Sequence, residues 1–171
     1  MNIRPAQQAD LPAIARIYNE GIEDRLATFE TQPRLPSDIG PWLARIDRYP
    51  LLVSVDADQK VQAWANVSAY RERDCYAGVG EFSIYVERSA RGQGVGAPLL
   101  HALLQSAADR GYWKLLSRIF TFNQPSRRLC SACGFREVGE YQRHARLDGR
   151  WLDVVIVERL IPQNQPVQSE V

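Results

Sequence analysis

Apolar residues recur along this chain with two periods, and the switches between them lay out the elements. Residues 3–6 read as a short strand. From 10 to 23, Ile14, Ile17, Tyr18 and Ile22 return at the spacing of one helical face, with Asp10 placed to cap it. A polar stretch through Thr31, Pro33 and Pro36 leads to a second helical pattern, in which Ile39, Trp42, Leu43 and Ile46 share a face. The period then shortens. Residues 51–55 and 61–67 are apolar runs around Asp56-Ala57-Asp58-Gln59, a hairpin-turn composition, and the second run continues toward Tyr70. After the charged loop Arg71-Glu72-Arg73-Asp74, residues 80–86 alternate and are rich in aromatic and β-branched side chains. Leu99, Leu100, Leu103, Leu104 and Ala107 mark another helical face, ended at Arg110-Gly111. A strand over 112–120, a short helix over 123–133 stopped by Gly134, and closing strands over 135–141 and 151–160 follow, the last two joined around Asp148-Gly149. This order, β-α-α-β-β-β-α-β-α-β-β, predicts an α/β fold with a mixed sheet flanked by helices. The two crossovers in its second half predict parallel neighbours. A single domain over 1–161 is expected, with a polar tail over 162–171 that frays.

Composition narrows the function more than the fold. The 171 residues, 45% of them hydrophobic, suffice for one substantial core. Lys and Arg number 21 against 20 Asp and Glu, so no broad basic surface for nucleic acid is expected and a small-molecule partner is favoured. There is no 18-residue apolar run and no apolar segment behind the charges of the first five residues, from which a cytoplasmic protein without a membrane span is expected. Cys75, Cys130 and Cys133 are expected to be free thiols. Cys130-Ser131-Ala132-Cys133 has the spacing of half a zinc or redox site, but there is no second pair and His101 and His144 lie far off in sequence. No metal is expected.

The most specific local signal is Arg91-Gly92-Gln93-Gly94-Val95-Gly96, between the strand ending near Val86 and the helix carrying Leu99. Pro98 lacks an N–H and is tolerated only in a helix's first turn, so the helix must begin near Val95 with the glycines at its mouth. Such a mouth offers unpaired N–H groups and a positive dipole end to an anion. It can also be a turn and nothing more. The spacing is not that of a nucleoside-triphosphate loop, and it comes too late in the chain for a Rossmann first turn.

Arg91-x-x-Gly94-x-Gly96 instead matches the Arg/Gln-x-x-Gly-x-Gly/Ala signature of the GNAT acetyltransferases, which the element order over residues 2–161 also resembles. More narrowly, Ala27-Thr28-Phe29-Glu30-Thr31, the segment 80–86 and Gly149-Arg150-Trp151-Leu152-Asp153-Val154 resemble the phosphinothricin acetyltransferases. The segment 18–24, Tyr112-Trp113-Lys114-Leu115 and Arg118-Ile119-Phe120 are similar to the branch that acetylates arsinothricin. The resemblance implies a mostly antiparallel sheet splayed at the cofactor site, acetyl-CoA as cosubstrate, and a homodimer with the 71–76 loop reaching toward the partner's site. It also implies acetylation of a glutamate-like amino-acid antibiotic at its α-amino group, and hence resistance.

By the same resemblance, the backbone of Ile84, Tyr85 and Val86 pairs with the pantetheine arm, and the Val86 N–H polarises the thioester carbonyl. Arg91, Gly92, Gln93, Gly94, Val95, Gly96 and Ala97 would hold the pyrophosphate. Asn123 would bond the cofactor arm, though it could equally be an N-cap. Cys130, seven helical residues on, should face the same way; many relatives place a tyrosine acid here, so the general acid is open. Glu81 is the candidate base, with a salt bridge to a neighbouring arginine as its plain alternative. For the substrate, Arg71 and Arg73 offer guanidinium forks to an anion, Phe29 an apolar wall, and Tyr76 and His144 further contacts, His144 with a possible part in proton transfer. A solvated charged turn is the alternative for the arginines. Acetylation of methionine sulfoximine or another small amine remains open, as do another GNAT-like activity, for example on an aminoglycoside or a protein N-terminus, and CoA sensing without turnover; two arginines suit a polycationic aminoglycoside poorly.

Overall fold

The computed structural model describes residues 1–165. A seven-stranded sheet carries helices on both faces. β1 (Asn2–Pro5), β2 (Leu51–Val55), β3 (Val61–Ala69) and β4 (Val79–Val86) form one antiparallel half, and β5 (Lys114–Phe120), β7 (Arg150–Leu160) and β6 (Arg136–Leu147) the other, in the order β1-β2-β3-β4-β5-β7-β6. α1 (Leu11–Asp24) and α2 (Pro36–Leu43) cover one face; α3 (Gly96–Ala108) and α4 (Gln124–Ala132) cover the other.

Strand alternation divides the core between these faces. Ala63, Ala65 and Val67 of β3 point to the α3 side with Phe82, while Trp64 points to the α1 side among Ile14, Ile17 and Ile39. Directly paired residues share a face, so Ser68, Asn66 and Trp64 carry Glu81, Ser83 and Tyr85 with them onto the α1–α2 side.

Of the two expected parallel junctions, one exists. The α3 crossover sets β5 parallel beside β4. The α4 crossover does not produce a second: β6 lands one strand further out, and β7 returns between it and β5, antiparallel to both. A hairpin of this length can lay either of its strands against β5, and only packing decides which.

Other expectations shift locally. Asp10 precedes α1 but makes no side-chain cap there; its carboxylate takes the Gln7 N–H at 2.8 Å and a fork from Arg4, closing a 3-10 turn ahead of the helix. α2 stops at Leu43, soon after an internal Pro41, leaving Ile46 in the turns beyond. β6 runs to Leu147 through a bulge. Part of the tail expected to fray is docked: residues 162–164 form a 3-10 turn, and Asn164 Nδ2 donates to the carbonyls of Ala108 and Tyr112. The remainder of that tail, 166–171, lies outside the described residues. No helix among the described residues is long and apolar enough to cross a membrane.

Candidate active site

The site originates in a failure of strand pairing. β4 and β5 are in register only at Val79↔Lys114, Gly80↔Leu115 and Glu81↔Leu116; beyond these the strands diverge. Glu87 N–H donates to Gln62 O of β3, so odd-numbered β4 backbone groups face β3. The even-numbered ones, Phe82, Ile84 and Val86, therefore turn their N–H and C=O groups to the side where β5 has left. An exposed strand edge of this kind can accept an extended ligand as an added strand.

A cavity of 490 Å3 fills the gap. β4 supplies Glu81, Ser83, Ile84 and Tyr85, and β5 supplies Ser117 and Arg118. Asn123 and Cys130 of the α4 region close it on one side, Thr28 and Phe29 on another, and His144 comes from β6. A second cavity, 420 Å3, lies on the α1–α2 face between Trp42, Trp64 and the paired Asn66 and Ser83; the two cavities share Tyr18 and Ser83 as lining.

Glu81 stands at the apex of the gap, and it makes the salt bridge to an arginine that was its plain alternative. Arg118 donates to it from Nε at 3.0 Å and Nη2 at 2.5 Å, but both bonds go to Oε1. Oε2 accepts no hydrogen bond from the described residues, so it can take one from a ligand. Asn123 is an N-cap, accepting from Ser126 N at 3.2 Å, and its amide also donates to Leu26 O at 2.9 Å. Cys130 is buried, and burial, with Cys133 and Glu137 nearby, pushes its thiol up to about 12. It keeps its proton throughout the neutral range. Tyr85 is pushed up as well, chiefly by burial, its ring stacked 4.8 Å from Trp64 and edge-on to Tyr18 at 4.9 Å.

His144 reaches the cavity through the β6 bulge. Arg143 adopts a left-handed φ of 48°, and its N–H is held by Asp153 Oδ1 at 2.6 Å. This breaks the strand's alternation and brings His144 and Ala145 together to the wall.

The glycine loop lies beyond this cavity, leading from β4 into α3. Gly92 and Gly94 have φ of 75° and 80°, a backbone region that side chains disfavour, and Gly96 opens α3 with Val95 as its N-cap. Ala97 and Pro98 complete the first turn, so the free N–H groups of the helix start lie beside the loop. Val86 marks the end of β4, and Arg91 Nε donates to its carbonyl at 3.0 Å. Open β4 amides leading to a glycine-lined helix mouth fit a ligand with an amide-bearing arm and an anionic end. Among the described residues no cluster of three or more His, Cys, Asp or Glu is placed to hold a metal.

Arg71, Arg73 and Tyr76 line neither cavity. They sit on the β3–β4 loop, where Arg71 lies 5.3 Å from the Tyr70 ring centre and Tyr70 meets Tyr76 edge-on. Conversely, Tyr18 and Arg118 line the main cavity although nothing in the spacing singled them out. Tyr18 fits the apolar face of α1 as core. Arg118 carried a signal: an arginine within the otherwise mostly apolar run Leu115–Phe120 calls for a partner.

Comparison with known proteins agrees with this geometry. The acetyltransferase (GNAT) family profile matches residues 14–135. A phosphinothricin N-acetyltransferase of Streptomyces coelicolor is 33% identical over 163 residues, 93% of this chain and 95% of its own length. An L-methionine sulfoximine/L-methionine sulfone acetyltransferase of Pseudomonas aeruginosa is 32% identical over 159 residues, 92% of each chain. The crystal structure of a GNAT-superfamily phosphinothricin acetyltransferase from Sinorhizobium meliloti, in complex with acetyl-CoA, superposes with a TM-score of 0.89 at 30% identity, covering 98% of this chain and 94% of that one.

Proposed function

The chain belongs to the acetyltransferase (GNAT) family, and from that membership we propose that it moves the acetyl group of acetyl-CoA to the α-amino group of a small glutamate-like amino acid. The observation that carries this reading is the opened β4 edge with Glu81 at its apex, in a chain about one-third identical to enzymes named for phosphinothricin and methionine sulfoximine. Acetyl-CoA supplies an activated acyl group as a thioester. The chain's own residues do the rest: the Ile84 and Val86 amides align the pantetheine arm, and the Val86 N–H stabilises negative charge on the acyl oxygen. Arg91 and the backbone of 92–97 take the pyrophosphate.

The attacking amine must be neutral, so a base is required, and Glu81 Oε2 fills that role while Arg118 fixes the carboxylate through Oε1. Cys130 holds its proton too firmly to act as an acid toward a thiolate whose ordinary value is about 8.5; it serves as a hydrogen-bond donor at the cavity wall. The acceptor approaches from the face bearing Ser83, Asn66 and Tyr18, with Phe29 as an apolar wall and His144 also in the lining. Arg71, Arg73 and Tyr76 engage the acceptor's anionic head across a homodimer interface. The exposed Val138, Tyr141 and Trp151 of the outer hairpin support such an association. Arsinothricin and phosphinothricin are the acceptors proposed, with resistance as the consequence, in a cytoplasmic enzyme. Methionine sulfoximine is the second candidate, on the strength of the Pseudomonas relative.

CoA release from acetyl-CoA is measured with arsinothricin, phosphinothricin, methionine sulfoximine and alanine as acceptors, for the native chain and for Glu81→Gln. We expect turnover confined to the glutamate analogues, and a fall in kcat/KM of about 10²-fold or more in the variant. Acetyl-CoA binding without turnover on any of the four would overturn the reading in favour of another acceptor or a sensor.

A further inference from the structure

Three consecutive residues at the end of α1 fasten three separate segments of the chain. Asp24 ends the helix and binds the segment before α3. Arg25, left-handed at φ 57°, pairs with Asp148 in the β6–β7 turn at 2.8 Å. Leu26 O receives Asn123 Nδ2 from the start of α4. Of these, Asp24 makes the most concentrated contacts. Its Oδ1 takes Arg88 Nε at 3.1 Å and Nη2 at 2.7 Å, and its Oδ2 takes Arg91 Nη1 at 2.6 Å. The carboxylate is shielded, with 19% of the side chain exposed.

The effect on Arg91 is specific. Nε is fixed to Val86 O and Nη1 to Asp24, so the guanidinium is held at two of its three nitrogens, and from both sides. Nη2 makes no hydrogen bond to the described residues. A planar fork held in this way retains one donor edge in a set direction, which an unheld side chain would reach only at the expense of its rotamer freedom. Arg88 is fixed by the same carboxylate and by Glu23, and its backbone N–H is bonded to Glu20 at 2.7 Å. The turn between β4 and the glycines is thus fastened to α1 at both of its arginines.

We propose that Asp24 is a positioning residue for the cofactor's pyrophosphate, acting through Arg91 rather than by contact. The proposal rests on the reading that residues 91–97 bind that pyrophosphate. It runs against simple charge counting, because a carboxylate near a diphosphate repels it; the geometric hold on Arg91 must outweigh that repulsion, and the test asks which does.

The measurement compares kcat/KM for acetyl-CoA and for S-acetyl-pantetheine, which lacks the pyrophosphate, in the native chain, Asp24→Asn, Arg91→Gln and the double variant. Asp24→Asn should lose about tenfold on acetyl-CoA, the order expected for one charge-assisted hydrogen bond, and stay within about twofold on S-acetyl-pantetheine. In the Arg91→Gln background the same change should have no further effect. Unchanged or improved kcat/KM on acetyl-CoA, equal losses on both donors, or additive losses in the double variant would each overturn the proposal. If Asp24→Asn does not fold, Arg91→Lys carries the test: it keeps the charge but cannot bond Val86 O and Asp24 as a planar fork, and the same selective loss is expected. A native chain that does not favour acetyl-CoA over S-acetyl-pantetheine overturns the pyrophosphate reading itself, and the proposal with it. A native preference that Asp24→Asn leaves intact overturns the proposal alone.

Discussion

Gly21 sits within α1, where replacing glycine by alanine ordinarily stabilises a helix by about 0.8–1 kcal/mol. Here a Cβ would stand 2.6 Å from Tyr85 Cε1 and 2.8 Å from Cδ1. The ring has little room to yield, since Trp64 stacks on one side of it and Tyr18 meets it edge-on. Overpacking of this kind costs about 1–3 kcal/mol, more than the helix gains. Gly21→Ala is therefore expected to lower the thermal midpoint and, by displacing Tyr85 from β4, to weaken acetyl-CoA binding in calorimetry. A raised midpoint with unchanged binding would show that Tyr85 moves freely. At this scale the sequence reveals residue types but not their neighbours. The glycines of 92–96 were legible because Pro98 dates the helix start next to them. Gly21 was not, because what it makes room for lies 64 positions away, and Arg118 finds Glu81 across 37.

The β6–β7 hairpin poses the corresponding problem for an element. Alternation in β6 breaks after Tyr141, which is where a strand read from periodicity ends. Between Tyr141 and Ala145 β6 takes four residue steps while β7 takes two from Val154 to Leu152, and pairing then resumes to Leu147. The interruption that hides the strand's second half is the feature that delivers His144 to the cavity. Asp153 was legible only as part of a family-like segment, yet its carboxylate holds the bulge by the Arg143 N–H. Asp153→Ala should cost about 1 kcal/mol of stability and lower kcat/KM about as far as His144→Ala does. Arg143→Gly, which suits the left-handed backbone and leaves the anchor intact, should preserve activity. If Asp153→Ala loses stability but keeps full activity, His144 has no part in the chemistry. The α4 crossover was misread for a related reason: its length and polarity are those of a parallel connection, and nothing local tells a chain to leave room for β7.

Across the whole molecule a net charge of +1 conceals a set of shielded carboxylates, each joining separate elements. Asp10 ties the turn before α1 to β1 through Arg4, Asp24 ties α1 to the turn leading into the glycine loop, and Glu158 ties β7 to Lys114 of β5 and Arg136 of β6. Burial raises Asp10 and Asp24, but their arginines, with the Gln7 N–H at Asp10, outweigh it. At Glu158 the Lys114 hydrogen bond leads. All three are held below the ordinary carboxylate values of 3.8 and 4.5. The unfolded chain therefore binds more protons in acid than the folded one, and stability must rise with pH through that interval. The contribution is complete above the ordinary values and is lost as pH falls through the lower, folded ones. Scanning calorimetry should show a thermal midpoint nearly level between about pH 7 and 5 that drops steeply below about pH 4.5. Glu158→Gln should lower the midpoint at neutral pH and make the acid drop shallower, because one of the groups that must be protonated has been removed. A drop of undiminished size would mean that Lys114 and Arg136 contribute to stability by packing rather than by charge, since packing of their stems does not titrate.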